Sequence, residues 1–151
     1  MKEVYVFFLS MTPVGEVRLS IPMGIFYYHL SPMTSYLVSV VGNVLIAILL
    51  LYILQWVEAQ LRRVAFIDRI YTKYVDALRE RVRDRLNRWG YIALLLFVGV
   101  PLPGSGVYTG ALISYLFNMD KLRSMIYISL GAIMASTVVV YLVVATKMFI
   151  K

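Results

Sequence analysis

The sequence predicts an all-α integral membrane protein, an inverted repeat of two units joined by a basic amphipathic cytoplasmic helix. Each unit is a re-entrant helical hairpin followed by a transmembrane helix. Three observations lead there. Hydrophobic residues make up 61% of the 151 and charged residues 15%, against roughly 45–50% and about 25% in soluble domains; mean hydropathy is +0.79. Four apolar blocks run along the chain, two unbroken and two split by proline and glycine. The blocks also pair when the chain is slid along itself by 89 residues.

The first unit holds a hairpin at 4–29 and a transmembrane helix at 33–56. Within the hairpin, TPVGEVRLSIP at 12–22 interrupts two stretches that would sit comfortably in lipid, VYVFFLSM and MGIFYY. The arms on either side run about ten to fourteen residues, roughly 15–20 Å if helical, only part of the way across a ~30 Å core. Thr12-Pro13 reads as N-cap and first helical residue of the second arm, where proline's missing N–H costs nothing. Irregular backbone at that depth must be buried in protein or line a wet cavity. The alternative is a proline-kinked helix that crosses. Residues 33–56, MTSYLVSVVGNVLIAILLLYILQW, carry no charge over 24 positions and should span.

The linker 57–90 carries nine of the fifteen Lys and Arg residues, which places it in the cytoplasm. Val57, Leu61, Val64, Tyr71, Val75, Leu78, Val82 and Trp89 recur at helical steps, and Asp76–Arg79, Glu80–Arg83 and Asp84–Arg88 have helix-supporting spacings. Such a helix suits a membrane surface or a second subunit equally.

The second unit repeats the plan, with a hairpin at 91–117 broken at Pro101-Leu102-Pro103-Gly104-Ser105-Gly106 and a transmembrane helix at 121–148. Ser105 is placed to cap the second arm. At the offset of 89, Gly15 falls on Gly104, Gly42 on Gly131, Phe8 on Phe97, Tyr52 on Tyr141 and the N-cap candidate Ser31 on Asp120. A hairpin returns to its own side and the next helix crosses, so the second unit starts on the opposite face and the repeats are inverted. All of 1–151 forms one membrane domain. Charge bias does not separate this topology from four full crossings, whereas the side of the C-terminus does.

Several function classes drop out. The net charge of +7 sits mainly in a loop beside lipid, with no nucleic-acid motif, so no nucleic acid is expected as partner. The chain has no cysteine and one histidine, His29, so no metal site and no cofactor is expected. No nucleophile–base set appears, which argues against an enzyme. The Lys2-Glu3 start has no cleavage pattern after it, and the N-terminus reads as mature structure.

Glu16 and Arg18 are the only charges in the interior of any apolar block, Arg123 and Lys147 lying near the ends of the last. Charges at membrane depth are costly and usually paired or functional. They are the candidate proton and substrate groups. Burial and Arg18 push the protonation of Glu16 in opposite directions, and the residues alone do not rank them. The tips around Thr12, Pro13 and Gly15, and around Pro101, Pro103, Gly104, Ser105 and Gly106, would present unpaired N–H groups and two helix N-termini, a setting for an anion such as phosphate. Asn43 is either interhelical glue or pocket lining. Gly110, Ser114, Gly131 and Ala135 read as helix-packing sites.

The pattern PVGEVRLSIPMG at 13–24 with PLPGSGVYTGAL at 101–112 resembles the putative small multidrug export protein family, itself similar to the DedA/VTT membrane proteins. The resemblance covers nearly the whole chain and implies two re-entrant hairpins, each followed by a spanning helix. Through the DedA/VTT likeness it also implies movement of phospholipids or polyprenyl phosphates between leaflets, although those proteins carry further acidic and arginine positions that find no place here.

The leading expectation is a small transporter or flippase for an anionic, phosphate-bearing lipid or related amphiphile, coupled to protons. The alternative is a proton-coupled exporter of cationic drugs using Glu16, against which the neighbouring Arg18 argues, and a further alternative is a non-transporting membrane scaffold. Two crossings make a thin wall, so a homodimer in contact with membrane lipids is expected.

Overall fold

The computed structural model describes residues 1–77, 79–80, 89–102 and 104–149. These form helices and turns, with no strand among the described residues. Helix α1 (Lys2–Ser10) turns into α2 (Glu16–Pro22), which runs on as a π-helical turn, Met23–Tyr27. Then come α3 (Pro32–Leu61), α4 (Ala65–Tyr71) with a second π turn at Thr72–Asp76, α5 (Tyr91–Gly99), α6 (Val107–Leu116) and α7 (Lys121–Phe149).

Two of these, α3 with 30 residues and α7 with 29, are long and apolar enough to cross a membrane; each is roughly 45 Å long, more than a bilayer core requires. Both start on the caps their sequences offer. Ser31 Oγ accepts from the Thr34 amide at 3.1 Å, and Asp120 Oδ1 accepts from the Arg123 amide at 2.9 Å. The two helices pack antiparallel, since Tyr36 meets Thr137 (3.3 Å between hydroxyls) while Lys121 Nζ lies 3.9 Å above the Tyr52 ring.

The split blocks both come back to where they began. Lys2 Nζ donates to the Tyr28 carbonyl at 3.2 Å, and the Tyr5 and Tyr28 rings stack at 6.0 Å. In the second block the Asp120 amide donates to the Tyr91 hydroxyl at 2.9 Å. The ends near Tyr28 and Met148 define one face of the bundle, here the N-terminal face; those near Leu61, Tyr91 and Asp120 define the linker face. Each second arm also reaches across to the other unit: α2 packs on both α3 and α7, and α6 on both α7 and α3.

Small residues let these helices close. At Gly131 a side chain would come within 2.8 Å of the Leu95 carbonyl and 2.9 Å of Val98 Cβ. Gly110 lies against Val98, Ser114 Oγ donates to Ser124 Oγ at 2.6 Å, and Ala135 is buried among Val17, Ile21 and Val139. Because a backbone oxygen cannot step aside, Gly131→Val is expected to cost about 1–3 kcal/mol. It should lower the thermal midpoint in detergent, with Gly131→Ala showing a smaller drop.

The linker departs from the single helix expected over 57–90. Helix α3 continues to Leu61, and Val64 is extended (φ −91°, ψ 110°) before α4 starts. Ion pairs explain the reversal. Arg62 bridges Glu58 on its own helix at 2.9 Å and Asp76 beyond α4 at 3.1 Å, which folds the chain back on itself. Asp76 and Arg79 pair at 3.4 Å as their spacing predicts. Arg79 also donates to the Leu116 and Tyr115 carbonyls, both at 3.0 Å, so the linker satisfies the C-terminal end of α6. Leu78, Val82 and the Glu80–Arg83 and Asp84–Arg88 pairs fall wholly or partly outside the described residues.

Candidate functional site

The tips of the two split blocks meet. Glu16 opens α2 and is 7% exposed. Its carboxylate lies against Gly106, where a Cβ would overlap both oxygens, and faces the amides of Val107 and Tyr108 in the first turn of α6. The N-cap of α6 is Gly106 itself, which has no side chain to offer. The orphan N–H groups of that turn therefore find their acceptor on the other half of the chain.

Three further bonds clamp the tips. Arg18 Nη2 donates to the Ser105 carbonyl and, at 3.1 Å, to Ser105 Oγ. The Tyr108 hydroxyl donates to the Met11 carbonyl. Tyr108 was not among the sequence candidates. Its only advance signal is a hydroxyl-bearing ring, which seeks a partner when buried, beside a Pro/Gly break.

Both expected caps are corrected. Thr12 and Pro13 do not begin α2: Thr12 Oγ1 donates to the Leu9 carbonyl at 2.8 Å and accepts from the Gly15 amide at 2.9 Å, closing a turn that delays the helix to Glu16. Ser105 does not cap α6. Its hydroxyl lies within 2.7 Å of the Val100 carbonyl and accepts from the Leu102 amide at 3.2 Å, folding the approach to the tip. A carboxylate is the stronger acceptor for a helix start, through charge and dipole together, and Glu16 takes that place.

The aligned glycines serve different ends. Gly104 has φ +87° and open space around it, so its left-handed backbone is what requires glycine. Gly15 has an ordinary φ of −72°, but a Cβ there would strike the Leu9 carbonyl. In the first tip the positive φ falls on Glu16 instead, at +30°. That conformation costs an L-residue about 1–2 kcal/mol and is held by the anchored side chain. Pro101 ends α5, with Val100 pushed to an extended conformation. Pro103 lies outside the described residues.

Asn43 joins this group. It is 1% exposed and, with Glu16, Arg18, Gly106 and Ala135, lines a gap that has no room for a water molecule. Asn43 Oδ1 and Arg18 Nε are both buried without a hydrogen-bond partner. The anion pocket expected from the sequence is therefore filled in this conformation: α6 already has its anion in Glu16, and no phosphate-sized space remains.

Two membrane-length helices embracing a buried carboxylate and a half-buried guanidinium, on short arms that meet between them, define a small helical membrane protein built around an internal polar site. The chain belongs to the family described as "Putative small multi-drug export protein", which it matches over residues 16–138. That span begins at Glu16, directly after the first tip, and takes in the second. No curated protein matches the chain, and no solved structure does either.

Proposed function

We propose that the protein is a proton-coupled exporter of small cationic amphiphiles in which Glu16 is the exchanging group. One observation carries this reading: the carboxylate of one tip caps the helix of the other. An ionised Glu16 holds the tips together, whereas a protonated one is a poor acceptor for the α6 amides and lets them part. Parting also breaks the Arg18–Ser105 bonds, and the freed side chain, once it loses its proton again, is a carboxylate at membrane depth that serves as a cation site.

In the membrane, 4–29 and 91–117 are re-entrant hairpins entering from opposite faces, as inverted repeats, with the basic linker in the cytoplasm. The returns at Tyr28 and Tyr91 support this. So does the antiparallel pairing of α3 and α7, because four successive crossings would leave those helices parallel.

A second reading, movement of an anionic phosphate-bearing lipid, is favoured by the unpaired Arg18 Nε. Once Glu16 leaves, the first amides of α6 also become available to phosphate. Reconstituted protein, assayed with a fluorescent cationic dye and a fluorescent phosphatidylglycerol, separates the two. Dye efflux driven by a pH gradient is expected. Lipid flipping without dye efflux would select the second reading, and neither activity would remove both.

The assembly is a homodimer. The outer sides of the tips are bare, with Val14 85% and Leu102 59% exposed, and irregular backbone at membrane depth needs protein or water over it. In this cysteine-free chain, Val14→Cys is expected to form an oxidised dimer in membranes while Phe66→Cys remains monomeric. A monomer at both positions would refute tip-to-tip pairing.

A further inference from the structure

Beyond the tips, one face of α3 is polar where a membrane helix has no need to be. Ser35, Ser39 and Asn43 follow at four-residue steps, so they share a face, and each is at most 1% exposed. The run starts one turn inside the N-terminal face, near the Ser31 cap, and ends at the gap beside Glu16, about 12 Å further on. Ser39 Oγ accepts from Ser20 Oγ on α2 at 2.8 Å. Ser35 Oγ, opposite Gly24, and Asn43 Oδ1 have no partner. Two orphaned polar atoms on one buried track are groups that water would satisfy.

The second unit lacks this track. At the 89-residue offset Ser35 corresponds to Ser124, Ser39 to Ile128 and Asn43 to Ala132. Ser124 is already paired with Ser114. Ile128 and Ala132 are buried in the apolar cluster with Leu94, Val98 and Ala111. Gly110, in the second arm, lies near Ile128, so the position that answers Ser39 is packed against that arm.

We propose that the Ser35–Ser39–Asn43 face is the route by which water enters between α2 and α3 from the N-terminal face and reaches Glu16, and that the corresponding path of the second unit stays dry. The route rests on the reading of Glu16 as an exchanging group, and its asymmetry makes the N-terminal face the side from which that group is served.

Single-cysteine variants test it, because the chain has no cysteine of its own. Met148→Cys (76% exposed) marks the N-terminal face and Phe66→Cys (74% exposed) the linker face. With a membrane-impermeant methanethiosulfonate, Ser35→Cys and Ser39→Cys should react from the Met148 side, roughly tenfold or more faster than Ile128→Cys, since a thiol reacts as its solvated thiolate. Equal rates in the two units, or reaction from the Phe66 side, would overturn the route. Amide exchange on the unaltered protein gives the same answer without substitution: faster exchange over 35–43 than over 124–132 is expected, and the reverse refutes it. Labelling without dye efflux would sink the export reading and keep the route, whereas efflux without labelling would do the opposite.

Discussion

Glu16→Gln is expected to abolish gradient-driven efflux while leaving the protein folded. Glutamine has the same shape and still offers an amide oxygen to the first turn of α6, so the cap is weakened by about 1 kcal/mol rather than lost. What disappears is the ability to gain and lose a proton, and with it the coupling between protonation and parting of the tips. Glu16→Ala should differ in kind. It leaves the Val107 and Tyr108 amides facing nothing, and an unsatisfied buried group costs about 1–3 kcal/mol, so the thermal midpoint in detergent should fall as well. Efflux by the glutamine variant at the parent rate and with the same gradient dependence would exclude Glu16 as the exchanging group.

Gly106→Ala should be nearly as severe, although it removes nothing. The added methyl would occupy the space of the Glu16 carboxylate. Either the carboxylate leaves the start of α6 or the two tips move apart. Both outcomes lose the cap and the closed gap, so stability and efflux should fall together. A double-mutant cycle isolates the cause. With Glu16 already alanine the carboxylate atoms nearest the new methyl are gone, so Gly106→Ala should then be much milder, giving a coupling energy on the order of 1–3 kcal/mol. Additive losses would mean that Gly106 is needed for some reason other than the carboxylate in front of it.

Much of the architecture could be read from the chain. The uncharged stretch 33–56 and the lightly charged 121–148 were long enough to cross, and the structure makes them α3 and α7 with the expected caps at Ser31 and Asp120. The breaks at 12–15 and 101–106 were visible as proline and glycine. Their local chemistry is less legible: Thr12 and Ser105 can each cap a helix, and each instead closes the turn before it. The periodicity of the linker predicts one helix, because it does not register an ion pair such as Arg62–Asp76, which bends the chain back.

The candidate site shows the same division. Glu16 and Arg18 stood out because a charge among apolar residues is conspicuous in any one-dimensional reading. Their partners did not: nothing near Glu16 in the chain points to Gly106, and nothing near Arg18 points to Ser105. The sequence alone determined the two long helices, the breaks and the presence of two charges among apolar residues, because hydrophobicity, chain length and backbone freedom are properties of neighbouring residues. Only the tertiary structure decided that one tip caps the other, that Asn43 faces the gap and that the gap is closed, because those depend on which distant backbone amides and side chains α2 and α6 meet when each crosses to the other half of the molecule.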